Sequence, residues 1–352
     1  MARRPDLGFF DDGLDLSDPD AYANAVLPFG QATHLHSIAY RSIAFDYLED
    51  EAIWSRKWVA IGTEHDIPAN GDILPYTLGY HGIHVQRGVG AKLEGRFNMA
   101  QHGGCRMVPD QCQNGTKTRC SFTSCGYSRD RGPIEAAEEQ SSPRLSHQYL
   151  GLRPERLLPV QVVSHSSLIF VCLDPASMPP KMEALPLPGL PPSERYWTEA
   201  GANWKLAAES LARCDTVTAS GNGRLEGQRR GRDGGEIGVV WLYPNVIILT
   251  AADTACLVIV QPTATTGTLM RISFFAGSHT RDLKSWWQAE LDGAATDAAS
   301  RQRAEVRSVV DTKLQLDAVA HWGQGELVRL ITAMPRLEIA IPMMQPTRSY
   351  MR

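Results

Sequence analysis

Two short stretches of this chain decide how the rest of it is interpreted. Residues 97–104 read Phe-Asn-Met-Ala-Gln-His-Gly-Gly, and residues 120–127 read Cys-Ser-Phe-Thr-Ser-Cys-Gly-Tyr. Asp130, Arg131 and Gly132 follow the second stretch. Thiolate and imidazole groups are the side chains that soft and borderline transition metals prefer. The two stretches therefore have the character of metal-binding loops, with His102 and Cys120 as the first candidate ligands.

The sequence around these loops predicts a β-rich first half. Residues 44–58 carry apolar side chains at helical spacing and predict a helix. Residues 59–72 then contain Ile-Pro-Ala-Asn-Gly-Asp, which is typical of a turn between strands. Residues 73–98 alternate apolar and polar side chains and predict short antiparallel strands. The last strand of this half is predicted at residues 167–174.

The second half begins after a run of prolines at residues 179–192, through which no helix or strand can continue. A helix is predicted from Asn203-Trp204-Lys205 onward. Residues 237–250 contain Tyr-Pro-Asn followed by an apolar strand. Further strands are predicted at residues 256–262 and 268–276, and helices near 281–292 and 300–321.

In this order, the two loops, the Asn-Trp-Lys helix and the Tyr-Pro-Asn strand resemble the large (alpha) subunits of Rieske-type non-haem iron ring-hydroxylating oxygenases. The resemblance covers about residues 35–325. It implies an α+β fold: an N-terminal Rieske-like antiparallel β domain, and a catalytic-type domain with an antiparallel sheet around a long helix. The corresponding domains are an arm at 1–35, the Rieske-like domain at 36–178, a linker at 179–192 and the catalytic-like domain at 193–352.

The resemblance also implies which ligands of a [2Fe–2S] cluster are missing. The family carries Cys-x-His in the first loop (97–105 here) and Cys-x-x-His in the second (120–127), so that two cysteines hold one iron and two histidines the other. In this chain the first cysteine position is Ala100 and the second histidine position is Thr123. Only His102 and Cys120 remain, and we expect no cluster.

The mononuclear iron site of the family is interrupted in the same way. It uses two histidines beyond the Asn-Trp-Lys helix and a distant carboxylate, a set that leaves open positions for dioxygen on Fe(II). Counting from Glu209 places the histidine positions at Thr216 and at Gly221 or Ser220, and residues 209–223 contain no histidine. The carboxylate position falls on Thr312, or on Asp311 after a shift of one residue. We expect no metal here.

Several residues keep alternative interpretations open. Cys105 or Cys125 could replace the missing cluster ligands beside His102 and Cys120, holding zinc or an atypical cluster. His321 is the nearest spare imidazole to the second site, although a single histidine near a helix end more often has a surface or capping role. Asp215 is either a remnant of an acid that links metal sites between subunits or a solvent-exposed helix-end acid. Two other histidines, His147 and His165, match no ligand position.

Composition sets limits on the function. The chain has 352 residues, a net charge of −4 and a pI near 6.2, which gives no reason to expect nucleic acid. No apolar stretch approaches the ~20 residues of a membrane span. The N-terminus lacks the apolar core of a signal peptide, so a cytoplasmic location is expected. We interpret Arg229, Arg230 and Arg232, in a glycine-rich stretch, as a solvated loop.

These losses in two separate places, within an apolar framework that is kept, predict a pseudoenzyme. We expect a catalytically silent structural or regulatory subunit of a hetero-oligomeric catabolic oxygenase. It would assemble with an active alpha-subunit paralogue that carries the [2Fe–2S] cluster and Fe(II), as a stacked α3α′3 hexamer, and would meet a reductase or ferredoxin only indirectly. Enzymatic activity of the chain alone is left uncertain.

Two alternative functions remain. The chain could be an active mono- or dioxygenase with substituted ligands, hydroxylating an aromatic, steroid or amine substrate. It could also be a small-molecule binding module that reuses the catalytic cavity, with aromatic side chains as the lining: Trp241, Phe274, Phe275 and Trp286. The substrate of the assembly and the partner's identity are not predictable from this chain.

Overall fold

The computed structural model describes residues 8–97, 158–221, 223–276, 283–307 and 316–334. Its first part is an arm with a short hairpin, β1 (Phe10–Asp11) and β2 (Leu14–Asp15), followed by a 3-10 turn at Pro19–Tyr22. The arm is held by buried apolar side chains, which are Phe9, Leu16, Tyr22, Ala25 and Leu35. The predicted irregular arm is therefore a packed segment.

Helix α1 (Ile43–Glu49) lies within the helix predicted at residues 44–58. It begins at Ser42, whose hydroxyl accepts the backbone N–H groups of Ala44 and Phe45 and so satisfies two donors of the first turn. The helix continues as one π-helical turn over Asp50–Trp54. Its apolar face is fully buried, which places its acidic residues close to the protein interior.

A six-stranded antiparallel sheet forms the first half of the fold, in the order β3-β8-β7-β6-β5-β4. Residues 98–157 lie between β6 and its neighbour β7 and outside the described residues; they contain the predicted cluster loops except Phe97, the last residue of β6. The strands are β3 (Val59–Thr63), β4 (Ile73–Leu78), β5 (His81–Arg87), β6 (Leu93–Phe97), β7 (Pro159–His165) and β8 (Leu168–Cys172).

The second half contains a seven-stranded antiparallel sheet in the order β10-β11-β12-β13-β14-β15-β9. Strand side chains alternate between two faces. In β13, Ile247 and Leu249 join one apolar cluster, while Val246 and Ile248 join another. The strands are β9 (Glu194–Ala200), β10 (Thr216–Gly221), β11 (Arg224–Arg230), β12 (Glu236–Leu242), β13 (Val246–Ala251), β14 (Thr254–Ala264) and β15 (Gly267–Phe275).

Both faces of this sheet are covered. Helix α2 (Trp204–Leu211) packs on α3 (Leu283–Arg307) and on strands β14 and β15. Helix α4 (Ala318–Thr332) begins at Asp317, which accepts the backbone N–H of Ala320. The opposite face meets Ala60, Leu168 and Phe170 of the first half. None of the helices in the described ranges has the length and apolar character that crossing a bilayer requires.

The two halves are joined by the same short motifs that carried the sequence resemblance. The side-chain amide of Asn245, in Tyr-Pro-Asn, donates to the carbonyl of Ala60 (2.8 Å) and accepts its N–H (3.2 Å). Trp204, in Asn-Trp-Lys, packs edge-on against Trp54 with ring centroids 5.0 Å apart. Because these contacts join residues about 150–185 positions apart, the motifs hold the two sheets together.

The predicted α+β fold is confirmed: the described residues form two antiparallel sheets with helices. The strands predicted at 167–174, 256–262 and 268–276 match β8, β14 and β15 closely. The prediction of two helices, near 281–292 and 300–321, was wrong because it placed a break between residues 292 and 300. Residues 283–307 form one helix of 25 residues, because the alanine-rich stretch after Gly293 contains no proline and continues the helix.

Candidate functional site

The candidate site lies around α2, the helix that the resemblance associates with iron. Every residue of α2 is buried, including Lys205 and Glu209. The Lys205 ammonium lies 2.6 Å from Glu49, which also accepts the indole N–H of Trp204 at 2.9 Å. It also lies 5.2–5.4 Å from the ring centroids of Tyr40, Phe45 and Trp204. A buried ion pair thus connects α1 to the start of α2.

Burial raises the pKa of Glu49, and the Lys205 ammonium and the Trp204 indole N–H oppose this rise. Burial and the neighbouring Glu49 carboxyl also raise the pKa of Asp46, to about 7. The α1–α2 contact therefore holds two carboxyl groups whose protonation depends strongly on their surroundings.

A second ion pair fixes the far end of α2. The Glu209 carboxylate accepts a hydrogen bond from the guanidinium of Arg301 on α3. The hydroxyl of Ser210 donates to the carboxylate of Asp297 at 2.8 Å. Asp297 lies on α3, one turn before Arg301. Burial raises the pKa of Glu209, and the Arg301 guanidinium opposes this rise. The acid that the family pattern places before the iron ligands is therefore neutralised by an arginine of this chain.

The predicted histidine positions lie beyond α2, on strand β10. Helix α2 ends at Leu211 with Ala212 as its C-cap, and the chain then enters the edge strand that contains Thr216, Ser220 and Gly221. All three are exposed to solvent. A hydroxyl group and a glycine on an exposed strand cannot supply two convergent imidazoles. These positions do not fit a mononuclear iron.

The described residues offer no other donor set. Among them, no three His, Cys, Asp or Glu side chains come together in an arrangement able to hold a metal ion. Several predicted residues lie outside the described residues: His102, Cys120, Ala100, Thr123, Cys105, Cys125, His147, Asp311 and Thr312. For these, the loss or replacement of ligands remains a prediction from sequence.

The space between α2 and α4 is small. A cavity of about 10 Å³ lies between α2, the β12–β13 turn and α4, with Glu209, Trp241 and Gln324 among its walls. A water molecule requires roughly 10–15 Å³ measured in this way. Ligand pockets are of the order of 300–1,000 Å³. Aromatic rings and the Glu209–Arg301 pair thus occupy the region next to the helix.

His321 and Asp215 have structural roles. One ring nitrogen of His321 lies 2.9 Å from the carbonyl oxygen of Leu27, and its ring packs near Phe29. Asp215 is exposed and accepts the backbone N–H of Arg230 at 2.8 Å, which closes the β10–β11 hairpin. His165 lies 2.8 Å from the carbonyl oxygen of Glu183 in the linker. Each of these contacts stabilises the fold locally.

The four aromatic residues proposed as a pocket lining do not line one cavity. Trp241 is buried against Trp322 and donates its indole N–H to the carbonyl of Pro244 at 3.1 Å. Phe274 and Phe275 point to opposite faces of the second sheet. Trp286 packs on Trp287 at the surface end of α3. Trp241, Phe274 and Phe275 are buried core residues, whereas Trp286 is only half-buried.

The interpretation of the arginine run at residues 229–232 as a solvated loop was wrong for Arg229, whereas Arg230 and Arg232 are exposed to solvent. Arg229 is part of strand β11, is largely buried and pairs with Glu290 of α3 at 2.8 Å. The backbone N–H of Arg232 donates to the other oxygen of Glu290 at 2.7 Å. The partner lies 61 positions away in sequence, so no local pattern could have indicated this contact.

Comparison with known proteins supports the family resemblance. No protein-family model matches the chain. The oxygenase subunit of glycine betaine monooxygenase from Pseudomonas aeruginosa is 24% identical over 178 residues, which is 47% of this chain and 40% of that protein. The alpha subunit of N,N-dimethyl phenylurea N-demethylase from Sphingobium sp. is 28% identical over 141 residues, 40% of this chain and 30% of that protein. The matched part thus spans well under half of either relative.

Solved structures share the fold over a larger part of the chain. The apo form of the quaternary ammonium Rieske monooxygenase CntA superposes with a TM-score of 0.63 at 16% identity, covering 89% of this chain and 98% of that one. A naphthalene 1,2-dioxygenase variant gives 0.56 at 14% identity, covering 89% and 95%. At these identities the likeness concerns the fold.

Proposed function

We propose, on the premise that this chain belongs to the Rieske non-haem iron oxygenase alpha-subunit family, that it is a catalytically silent subunit of an oxygenase. In this proposal the chain holds neither the [2Fe–2S] cluster nor Fe(II). An active alpha-subunit paralogue supplies both. The silent chain stabilises that paralogue or shapes access to it, in the cytoplasm and as part of a catabolic enzyme.

One observation carries the proposal: the positions for the iron-binding histidines lie on an exposed edge strand as Thr216 and Gly221, with Ser220 beside them. The neighbouring interior has a cavity of only about 10 Å³. A substrate and a metal centre need a protected site with convergent donors. Among the described residues, the interior between α2, the β12–β13 turn and α4 provides neither.

The buried ion pairs support the view that selection maintains the stability of this fold, although the metal ligands are missing. Glu49–Lys205 and Glu209–Arg301 place four charged groups in the interior, and each group has its opposite charge. Loss of one member of such a pair typically costs ~3–5 kcal/mol. A chain that drifts without constraint would lose such pairs early, whereas here both are complete.

The arm offers a surface for a partner subunit. Five of the twelve exposed large apolar side chains in the described residues fall between positions 10 and 29, namely Phe10, Leu14, Val26, Leu27 and Phe29. Hydrogen bonds from Gln324 of α4 to the carbonyls of Ala25 and Thr33 hold the arm in place. Contiguous apolar patches mark interaction surfaces, and we propose that these side chains contribute to one. The proposed occupant is the active paralogue.

The arrangement follows from the electron path of the family. The resemblance implies that electrons pass from the cluster of one subunit to the iron of its neighbour within a trimer. A silent chain inside that ring would interrupt the path, whereas a silent trimer stacked on an active trimer would leave it intact. We therefore propose an α3α′3 hexamer in which a reductase or ferredoxin contacts the active subunits.

Co-expression with the paralogue tests the proposal. The chain purified alone is expected to be colourless, with less than a tenth of an iron per chain. The co-purified complex is expected to show the visible absorption of a [2Fe–2S] cluster and a one-to-one subunit ratio by native mass spectrometry. A purified chain that carries stoichiometric iron and hydroxylates a substrate unaided would refute the silent role in favour of substituted ligands.

The arm is tested with a matched pair of variants. The double variant Val26→Ser/Phe29→Ser is expected to lower recovery of the paralogue at least tenfold without unfolding the chain. Val89→Ser, on the turn between β5 and β6, removes an apolar group that is 91% exposed and serves as the control. Equal recovery with both variants would exclude the arm as the contact surface.

A further inference from the structure

A second cavity, larger and strongly cationic, lies on the other side of α2. It has a volume of about 280 Å³ and opens between the C-terminal end of α2, the end of β11 with its turn, and α3. Its polar lining is dominated by four arginines, which are Arg213, Arg229, Arg230 and Arg232. We propose that this cavity binds a small ligand through an oxyanionic group, a phosphate or a carboxylate.

The charges of the lining do not balance. Two carboxylates, Glu290 and Asp297, face the four guanidinium groups. Both oxygens of Glu290 are already used, one by the Arg229 side chain and the other by the backbone N–H of Arg232. Asp297 accepts the Ser210 hydroxyl. The excess of positive charge is available to a ligand.

The unpaired arginines lie at the mouth of the cavity. Arg213, Arg230 and Arg232 are all exposed, and within the described residues their guanidinium groups have no carboxylate partner. Three adjacent cations repel one another unless an anion lies between them. The arrangement is therefore that of an incomplete ion cluster.

The floor of the cavity contains a donor without an acceptor. The Nε–H group of Arg229 is buried and has no hydrogen-bond partner among the described residues, although the same guanidinium pairs with Glu290 through another nitrogen. A buried donor left unsatisfied destabilises the native state. Arg229 therefore keeps one hydrogen-bond donor that Glu290 does not use.

The shape of the wall fits an extended arginine. The Arg232 guanidinium lies against Gly293 of α3, where an added Cβ would come within 2.2 Å of its Nη2 atom. Glycine inside a helix is less favourable than alanine. Here the missing side chain leaves room for Arg232 to lie across the helix beside the cavity.

Guanidinium groups recognise phosphate and carboxylate with paired, parallel hydrogen bonds. Nucleic acid is a poor match because the cavity is small and the chain has a net charge of −4. The occupant is therefore a small anion or a metabolite that presents one. This inference is independent of the proposed silent role, because the cavity lining includes none of the metal-ligand positions.

Binding is tested with the full-length chain in a phosphate-free buffer. Inorganic phosphate and malonate are titrated separately, with sodium chloride as the reference at equal ionic strength, and binding is followed by calorimetry and by the melting temperature. Saturable binding of either anion is expected. At a hundredfold excess over Kd, binding stabilises the native state by about 2.7 kcal/mol. The anion with the lower Kd shows whether the cavity prefers phosphate or carboxylate.

The variants locate the site. Arg213→Ala/Arg230→Ala removes two exposed cations and is expected to weaken binding at least tenfold, whereas Arg303→Ala, on an exposed part of α3 outside the cavity, is expected to leave it unchanged. Arg213→Lys/Arg230→Lys, which keeps the charge without the paired donors, is expected to give an intermediate loss. The inference is overturned if neither anion exceeds chloride, or if Arg303→Ala weakens binding as much as the double alanine variant.

Discussion

Replacing Lys205 by methionine tests the buried contact between α1 and α2. Methionine keeps the length of the side chain and removes the charge. In the variant, the buried Glu49 carboxylate would lose its cationic partner. It would keep the hydrogen bond from the Trp204 indole N–H, 2.9 Å away. We expect the free energy of unfolding to fall by ~3–5 kcal/mol, the usual cost of leaving one charge of a buried pair alone.

This loss of unfolding free energy can be converted into a decrease in melting temperature. With roughly 2.1 cal/mol/K of unfolding entropy per residue, a cooperative chain of 352 residues has about 0.7 kcal/mol/K, so the loss corresponds to about 4–7 °C. Differential scanning calorimetry and urea denaturation measure this loss. The double variant Glu49→Gln/Lys205→Met should recover at least 1 kcal/mol, since its interior holds no lone charge.

The pH dependence gives an independent check. Without Lys205, the folded-state pKa of Glu49 rises further above the unfolded value of about 4.3. A carboxyl whose pKa is raised by folding does not change the free energy of unfolding below its unfolded-state pKa. As the pH rises from that value to the folded-state pKa, the free energy of unfolding decreases. The difference between variant and wild type should therefore be small near pH 4 and grow towards pH 8.

Lys284→Met is the matched control, because Lys284 pairs with Glu194 at the surface, where both side chains are substantially exposed. Loss of this surface ion pair should lower the free energy of unfolding by ~0–1 kcal/mol. The reasoning is refuted if Lys205→Met costs less than 1 kcal/mol at pH 7, if its cost does not change with pH, or if the double variant is less stable than the single one.

Three further changes test other parts of the fold. Asp46→Asn should flatten the loss of stability between about pH 4 and 7, because over this range the unfolded chain has released the proton that the folded state, with a pKa of about 7, still holds; urea denaturation across this range measures it. His84→Gln should reduce acid destabilisation between pH 6.5 and 4, since burial and the nearby Arg96 lower the pKa of this imidazole to about 4 and the fold favours its neutral form; a slope equal to wild type would contradict this. Gly79→Ala should lower the melting temperature by several degrees, because its Cβ would lie 1.9 Å from a carboxylate oxygen of the buried Asp50, and an unchanged melting temperature would show that Asp50 moves freely.

The sequence alone determined the fold class and the motifs that hold it together. The uninterrupted apolar run Val246 to Leu249 indicates a strand buried on both faces, and in the structure its side chains alternate between two apolar clusters. Helix α2 was predictable from its N-cap Asn203 and the helix-forming residues after it. The residue types at the ligand positions, such as Ala100 and Thr216, are likewise a property of the sequence.

Only the tertiary structure decided what surrounds those positions. Lys205 meets Glu49, Glu209 meets Arg301 and Arg229 meets Glu290 across separations of 156, 92 and 61 residues. Helical and strand periodicity describe neighbours within one element, so they carry no information about such pairs. The same holds for the cationic cavity, where packing brings four arginines together with only two carboxylates. Sequence set which charges the chain carries, and packing set which of them are neutralised.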